Sequence, residues 1–140
     1  MYVIIVGCGR VGSTMAKQVV SEGHDVVVVD EDPGSFRLLG EKFPGQCIVG
    51  AALDWDVLRT AGIEGADVFA AITDGDNTNI VCALIASRAF EVRCAIARVY
   101  DPLRARVFAR TGLQTVCPTQ QSQAMMMDAL HACPLSATGE

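Results

Sequence analysis

The sequence predicts an α/β fold of the doubly wound class: a six-stranded parallel sheet in the order 3-2-1-4-5-6 with helices on both faces. Three observations carry this expectation. Apolar runs of strand length alternate with segments of helical period along the chain. Most of the runs are almost continuously apolar, as strands covered on both faces must be. A glycine-rich turn stands directly between the first run and the first helix, and right-handed crossovers then order the rest.

Each element has a local reason. Tyr2–Val6 reads as strand one, and Val11–Ser21 as a helix with Val11, Met15 and Val19 on one stripe. Glu22–Gly23–His24 turns the chain into strand two, Asp25–Val29. Pro33 then opens a helix at its first turn, where its missing N–H costs little; it carries Phe36, Leu39 and Phe43 and stops before Pro44–Gly45. Cys47–Val49 is strand three. Asp54 caps a helix over Trp55–Ala61, ended by Gly62. Val68–Ile72 is strand four, followed by a long helix over Asp76–Ala89, with Asp76 as its N-cap. Arg93–Val99 is strand five, and Asp101–Pro102 starts a helix to Arg110, with Gly112 beyond it. Leu113–Cys117 is strand six, Gln120–His131 a last helix, and Pro134–Glu140 a frayed tail.

Composition bounds the function. The 140 residues suit one domain, with residues 1–118 forming the α/β unit and 119–140 a C-terminal helix and tail. No apolar run approaches the ~20 residues of a bilayer span, and the start shows no basic leader, which predicts a cytoplasmic protein without direct membrane insertion. Net charge is −5, with nine Arg against two Lys, so non-specific nucleic-acid binding is not expected. Six cysteines form no C-x-x-C pair and neither His joins them, which predicts buried, reduced thiols and neither a disulfide framework nor a metal site.

Gly7–Cys8–Gly9–Arg10–Val11–Gly12 is a G-x-G-x-x-G between a strand and a helix. Gly7 permits the tight turn, Gly9 lets the backbone approach a pyrophosphate, and Gly12 lets the helix pack on strand one. The first N–H groups of that helix are free donors at the positive end of its dipole, where phosphate fits. Asp30 ends strand two, 18 residues beyond Gly12, and its carboxylate can accept from both ribose hydroxyls. These are the two halves of the Rossmann fingerprint. A 2′-phosphate would meet Asp30, Glu31 and Asp32, so NADP is disfavoured while NAD, NADH, ATP, ADP and AMP all stay admissible. Arg10 either folds over the phosphates or faces solvent. Cys8 is either a reactive thiol near a helix N-terminus or a small residue that fits the turn. No histidine stands near the strand ends that would carry a substrate, so no catalytic residue and no enzyme activity is expected.

Further along, GAALD at Gly50–Asp54, AGIEGADVFAAITDGDNTN at Ala61–Asn79, ARVYDP at Ala97–Pro102 and TGLQTVCP at Thr111–Pro118 join GCGRVG and VVVVDEDP. Together these make Met1 to about Pro118 resemble the TrkA-N domain, the regulator-of-conductance-of-potassium (RCK or KTN) module of bacterial potassium channels and transporters. The resemblance implies a nucleotide lying along Gly7–Val11, with Asp30 on the adenosine ribose. It implies Ala51 on the adenine side, Thr73 and Asp74 near the phosphates or second ribose, and Arg98 reaching the nucleotide. For Arg98 the bland alternative is an ion pair with Asp101. The family often has an acidic or polar residue where this chain has Ala51–Ala52, and many relatives continue into a second regulatory domain.

What the resemblance implies functionally is a regulator. It would sense NAD(H) or ATP/ADP, act on a membrane potassium transporter or channel subunit, and assemble as a homodimer or higher ring. The last helix, with Met125–Met127, either crosses to a second copy or folds back on its own sheet. Two other readings share the module: the cofactor half of an NAD-dependent oxidoreductase, and the regulatory domain of a glutathione-gated cation–proton antiporter.

Overall fold

The computed structural model describes residues 1–134; the tail expected at its end lies, from residue 135 on, outside the described residues. Six parallel strands form one sheet in the order β3-β2-β1-β4-β5-β6. They are β1 (Tyr2–Val6), β2 (Asp25–Asp30), β3 (Gln46–Val49), β4 (Val68–Ala71), β5 (Cys94–Arg98) and β6 (Gln114–Val116). The helices are α1 (Arg10–Ser21), α2 (Trp55–Thr60), α3 (Asp76–Leu84), α4 (Pro102–Ala109) and α5 (Pro118–Ala132). The expected strand order and fold class are those observed.

The continuous apolar runs are explained by burial on both faces. Along β1 and β2 successive side chains alternate between two cores. Ile4, Val6, Val27 and Val29 meet Leu58 of α2, Ile80 and Ala83 of α3 and Ala105 of α4. Val3, Ile5, Val26 and Val28 meet Ala16 of α1 and Leu39 on the other side. Register aligns the strand ends: Val6 lies opposite Val29 on one side and Ala71 on the other. The turns after β1, β2 and β4 therefore open at one edge, at the point where the strand order reverses.

Two elements depart from expectation. The segment after Pro33 is a 3-10 helix, Pro33–Leu39, not an α-helix reaching Phe43. Gly34 weakens it, and Gly40, at φ +85°, ends it at Leu39. Phe43 still packs on the core, from the turn beyond. The long helix after β4 is α-helical only to Leu84 and closes in a π turn over Ile85–Ala89. Its N-cap is Gly75; Asp76 is already helical, and its carboxylate instead accepts from the N–H groups of Tyr100 (2.8 Å) and Asp101 (3.0 Å).

Asp101 caps α4 as expected, accepting from Leu103 and Arg104. Helix α5 does not fold back on the sheet. None of its residues is buried, and Met125, Met126 and Leu130 are 71%, 69% and 60% exposed.

Phe69 is fully buried at the centre of the larger core. Phe69→Ala is expected to lower unfolding free energy by about 3–5 kcal/mol. Urea unfolding should report this as a lower midpoint at unchanged slope.

Candidate functional site

The strand ends frame an open crevice of about 750 Å³, within the range of small-molecule sites. Its floor is the glycine loop. Gly7 sits at φ +105°, and a Cβ there would come within 2.5 Å of the Ile72 carbonyl oxygen. A Cβ on Gly12 would overlap the Gly7 carbonyl oxygen, so α1 can lie this close to β1 only with glycine at its first turn. Gly9 is different. Its N-cap backbone is extended, at φ −85°, and no protein atom lies within 4 Å of where a Cβ would stand.

The start of α1 is uncapped by any side chain, and its first turn holds no acid. Ser13 N–H is the first to bond back into the helix, to the Gly9 carbonyl, at 2.9 Å. The amides of Arg10, Val11 and Gly12 thus face the crevice as the free donors that every helix N-terminus carries.

Asp30 closes one side. Its Oδ2 accepts the Cys8 N–H at 2.7 Å and its Oδ1 the Asp32 N–H at 2.9 Å, so the carboxylate locks the glycine loop to the tip of β2. Each oxygen keeps a further lone pair for a hydroxyl donor. Glu31 and Asp32 continue the same wall.

The opposite wall is built by a buried asparagine. Asn79 on α3 is fully buried; its Oδ1 accepts from Thr73 N–H (2.8 Å) and Thr73 Oγ1 (2.6 Å). Its Nδ2 donates to the carbonyls of Thr73 and Arg98, both at 2.9 Å. One side chain thereby ties the end of β4 to the end of β5. Arg98, only 13% exposed, donates through Nη2 to the Ile72 (3.2 Å) and Thr73 (3.0 Å) carbonyls. The same nitrogen lies 3.6 Å from the fully exposed Asp74 carboxylate, and the guanidinium packs on the Tyr100 ring at 4.9 Å. Arg98 Nε is buried and has no protein partner. Asp101, the sequence-based alternative partner of Arg98, is occupied at the α4 cap.

The crevice gathers Gly7, Gly9, Arg10, Val11, Gly12, Asp30, Thr73, Asp74 and Arg98 from the expected set. Cys8 and Ala51 do not line it; the neighbours of Cys8, Gly7 and Gly9, and those of Ala51, Gly50 and Ala52, do. Cys8 turns its side chain into the core, its thiol lying 3.5 Å from the Ser35 carbonyl. Burial first, then the Asp30 carboxylate, push that thiol up to about 11. The thiol therefore stays protonated at neutral pH, which fits the small-residue reading and not the reactive one. Sequence reasoning missed Tyr100, Thr78, Ser35 and Asn79. A signal existed for Asn79: it shares a helical stripe with the buried Ala83 and Ala86, where a polar side chain has to be hydrogen-bonded. His24 lies elsewhere, 3.3 Å from the N-terminal amine, and His131 is on α5.

Cys8 should resist alkylation by iodoacetamide at pH 8 in the folded protein, while the exposed Cys133 reacts. The folded thiol ionises after the unfolded one, whose ordinary value is 9.0, so the stability Cys8 contributes is complete below that pH. It is lost as pH climbs towards 11, which pH-dependent unfolding of wild type against Cys8→Ala would read.

Comparison with known proteins places this geometry. The TrkA-N domain family matches residues 3–119. The Trk system potassium uptake protein TrkA of Streptomyces coelicolor is 46% identical over 127 residues, which are 91% of this chain and 57% of that protein. The chain thus spans little more than half the length of that relative. Among solved structures, the Kef C-terminal domain of Shewanella denitrificans in its AMP-bound form superposes with TM-score 0.81 at 22% identity, covering 99% of this chain and 85% of that one. The GsuK channel bound to NAD superposes with TM-score 0.70 at 22% identity, covering 82% of this chain and 21% of the channel. With the glycine loop, the β2 acid and the Thr73–Asn79 turn all inside the matched span, the chain belongs to the TrkA-N domain family.

Proposed function

We propose that this domain is the nucleotide-sensing part of a potassium-transport system, binding NAD(H) or ATP/ADP in the crevice and regulating a membrane potassium transporter or channel. The observation that carries this reading is Gly9. The fold gives no steric reason for glycine there, since a Cβ would meet nothing and the backbone is one that any residue adopts. A pyrophosphate pressed onto the loop supplies the reason. The free amides of α1 would take the phosphates, Asp30 the adenosine ribose, and Thr73, Asp74 and Arg98 the far half of the ligand.

The relatives support the reading. Relatives at 46% and 38% identity are named for potassium uptake, and two structural neighbours hold AMP and NAD. The acidic wall of Asp30, Glu31 and Asp32 argues against a ribose 2′-phosphate. Regulation rather than catalysis is favoured because both histidines lie away from the crevice and the Cys8 thiol beside the glycine loop is buried and protonated. Among the described residues no helix is long and apolar enough to cross a membrane, so action on transport would go through a membrane partner. Helix α5, with its uncovered methionines, suits a contact with a second copy in a dimer or ring.

A thermal-shift panel of NAD, NADH, NADPH, ATP, ADP and AMP tests this directly, because ligands that bind only the folded state raise its melting point. Ligands whose adenosine ribose carries no 2′-phosphate should stabilise and NADPH should not; equal stabilisation by NADPH would sink the ribose assignment. Gly9→Val should remove the shift while leaving the unliganded melting point near wild type. Asp30→Ala should weaken binding by at least roughly 1.5–3 kcal/mol, a charged hydrogen bond's worth. It should also lower the unliganded melting point, because two loop amides lose their acceptor.

A further inference from the structure

The charges around the crevice are unevenly committed. Four carboxylates line it, Asp30, Glu31, Asp32 and Asp74, against two guanidiniums, Arg10 and Arg98. Arg98 commits Nη2 to two backbone carbonyls and the Asp74 carboxylate and its guanidinium face to Tyr100, while its Nε keeps no protein partner. Arg10 is exposed and makes no ion pair among the described residues. Among the described residues that line the crevice, Asp74 is the carboxylate on the β4–β5 side, and it stands fully in solvent at the mouth. The half of the site that would receive whatever follows the first phosphate is therefore a guarded cation, not a free one.

We infer that Asp74 is a specificity-determining residue that limits the negative charge of the ligand: by guarding Arg98 it makes the crevice favour a pyrophosphate-linked dinucleotide over a nucleoside triphosphate. This rests on the nucleotide reading above and sharpens it. A dinucleotide places a diester pyrophosphate at the glycine loop and then a second, uncharged ribose near Thr73 and Asp74, which can donate hydroxyls to that carboxylate. A triphosphate places a terminal phosphate there instead, with the extra charge of a phosphomonoester. That group meets Asp74 and, across the crevice, the Asp30–Asp32 wall, with only the α1 amides and Arg10 to answer it. Nothing in the fold requires Asp74. It caps no helix, its side chain is open to water, and among the described residues its ion pair is with Arg98.

Calorimetric titration of NADH and of magnesium-free ATP into the wild-type protein and Asp74→Asn tests the assignment, with Glu22→Gln as a control of equal charge change at the far end of α1. At low salt NADH should bind at least about tenfold more tightly than ATP, and the gap should narrow as salt shortens the screening length from ~10 Å towards ~3 Å. Asp74→Asn should improve ATP binding by roughly five- to tenfold and leave NADH within about threefold, in line with the loss of one like charge at close range. Glu22→Gln should change neither. Tighter binding of ATP than NADH in the wild type, or an ATP-to-NADH ratio unmoved by Asp74→Asn, overturns the role of Asp74 while leaving a nucleotide site standing. If neither compound binds, the nucleotide reading fails and this inference with it.

Discussion

The contact between α1 and β1 at Gly12 sets the geometry of everything around it. With no Cβ at that position, the first turn of the helix rests on the Gly7 carbonyl. The chain must then leave β1 through a left-handed glycine beside the end of β4. The consequence is positional. Three unbonded amides are held at the sheet's open edge, and the acid at the tip of β2 comes within hydrogen-bond reach of the loop. Asp30 then finishes the arrangement by gripping the loop's own N–H. A bulkier residue at position 12 would lift the helix and carry the amides away from the crevice, whatever else the sequence kept.

The far wall follows another logic. Where the near wall is built on the absence of side chains, the far wall is built on one fully buried polar side chain. Asn79 makes four hydrogen bonds to the ends of two strands, a complete use of its donors and acceptor. Losing it would take their partner from the Thr73 N–H and the Arg98 carbonyl, each at about 1–3 kcal/mol, while the Thr73 carbonyl would keep Arg98 Nη2. The asparagine thus fixes the spacing between β4 and β5 where the two diverge. It also leaves Arg98 free to lie across that gap. Satisfied buried networks of this sort are rigid, so the two walls of the crevice are preset rather than assembled on demand.

Much of this was legible in the sequence, and the reasons differ by element. The parallel sheet followed from both-face burial, because Val26–Val29 and Val3–Val6 leave no polar alternation from which a solvent face could be made, and the strand order from the glycine turn after the first strand. The glycine loop and Asp30 were legible because their spacing is dictated by backbone geometry. The segment after Pro33 was misread because its apolar residues have helical spacing while Gly34 and Gly40 leave too little chain to build on. Asp76 was misread as a cap because local chemistry favours that role, but a tertiary demand outweighed it: two amides from the β5–α4 turn needed an acceptor. Cys8 and Ala51 fell inside the right loops, yet which way a side chain points from a tight turn depends on packing that no spacing encodes.

Distance within the fold bears on how such a domain could report its state. Tyr100 lines the crevice and carries Arg98 on its ring. Its carbonyl faces the Cys117 thiol at 3.5 Å, and Cys117 is the residue from which α5 starts. A bonded route therefore runs from the guarded arginine to the base of a helix that has no cover of its own. Spatial continuity alone is not coupling; a ligand moves α5 only by as much as it prefers one position of the helix over another. What the fold contributes is economy of path. Arg98 and Tyr100 lie one layer of side chain from that base, whereas Asp30 on β2 is separated from it by β1, β4, β5 and β6.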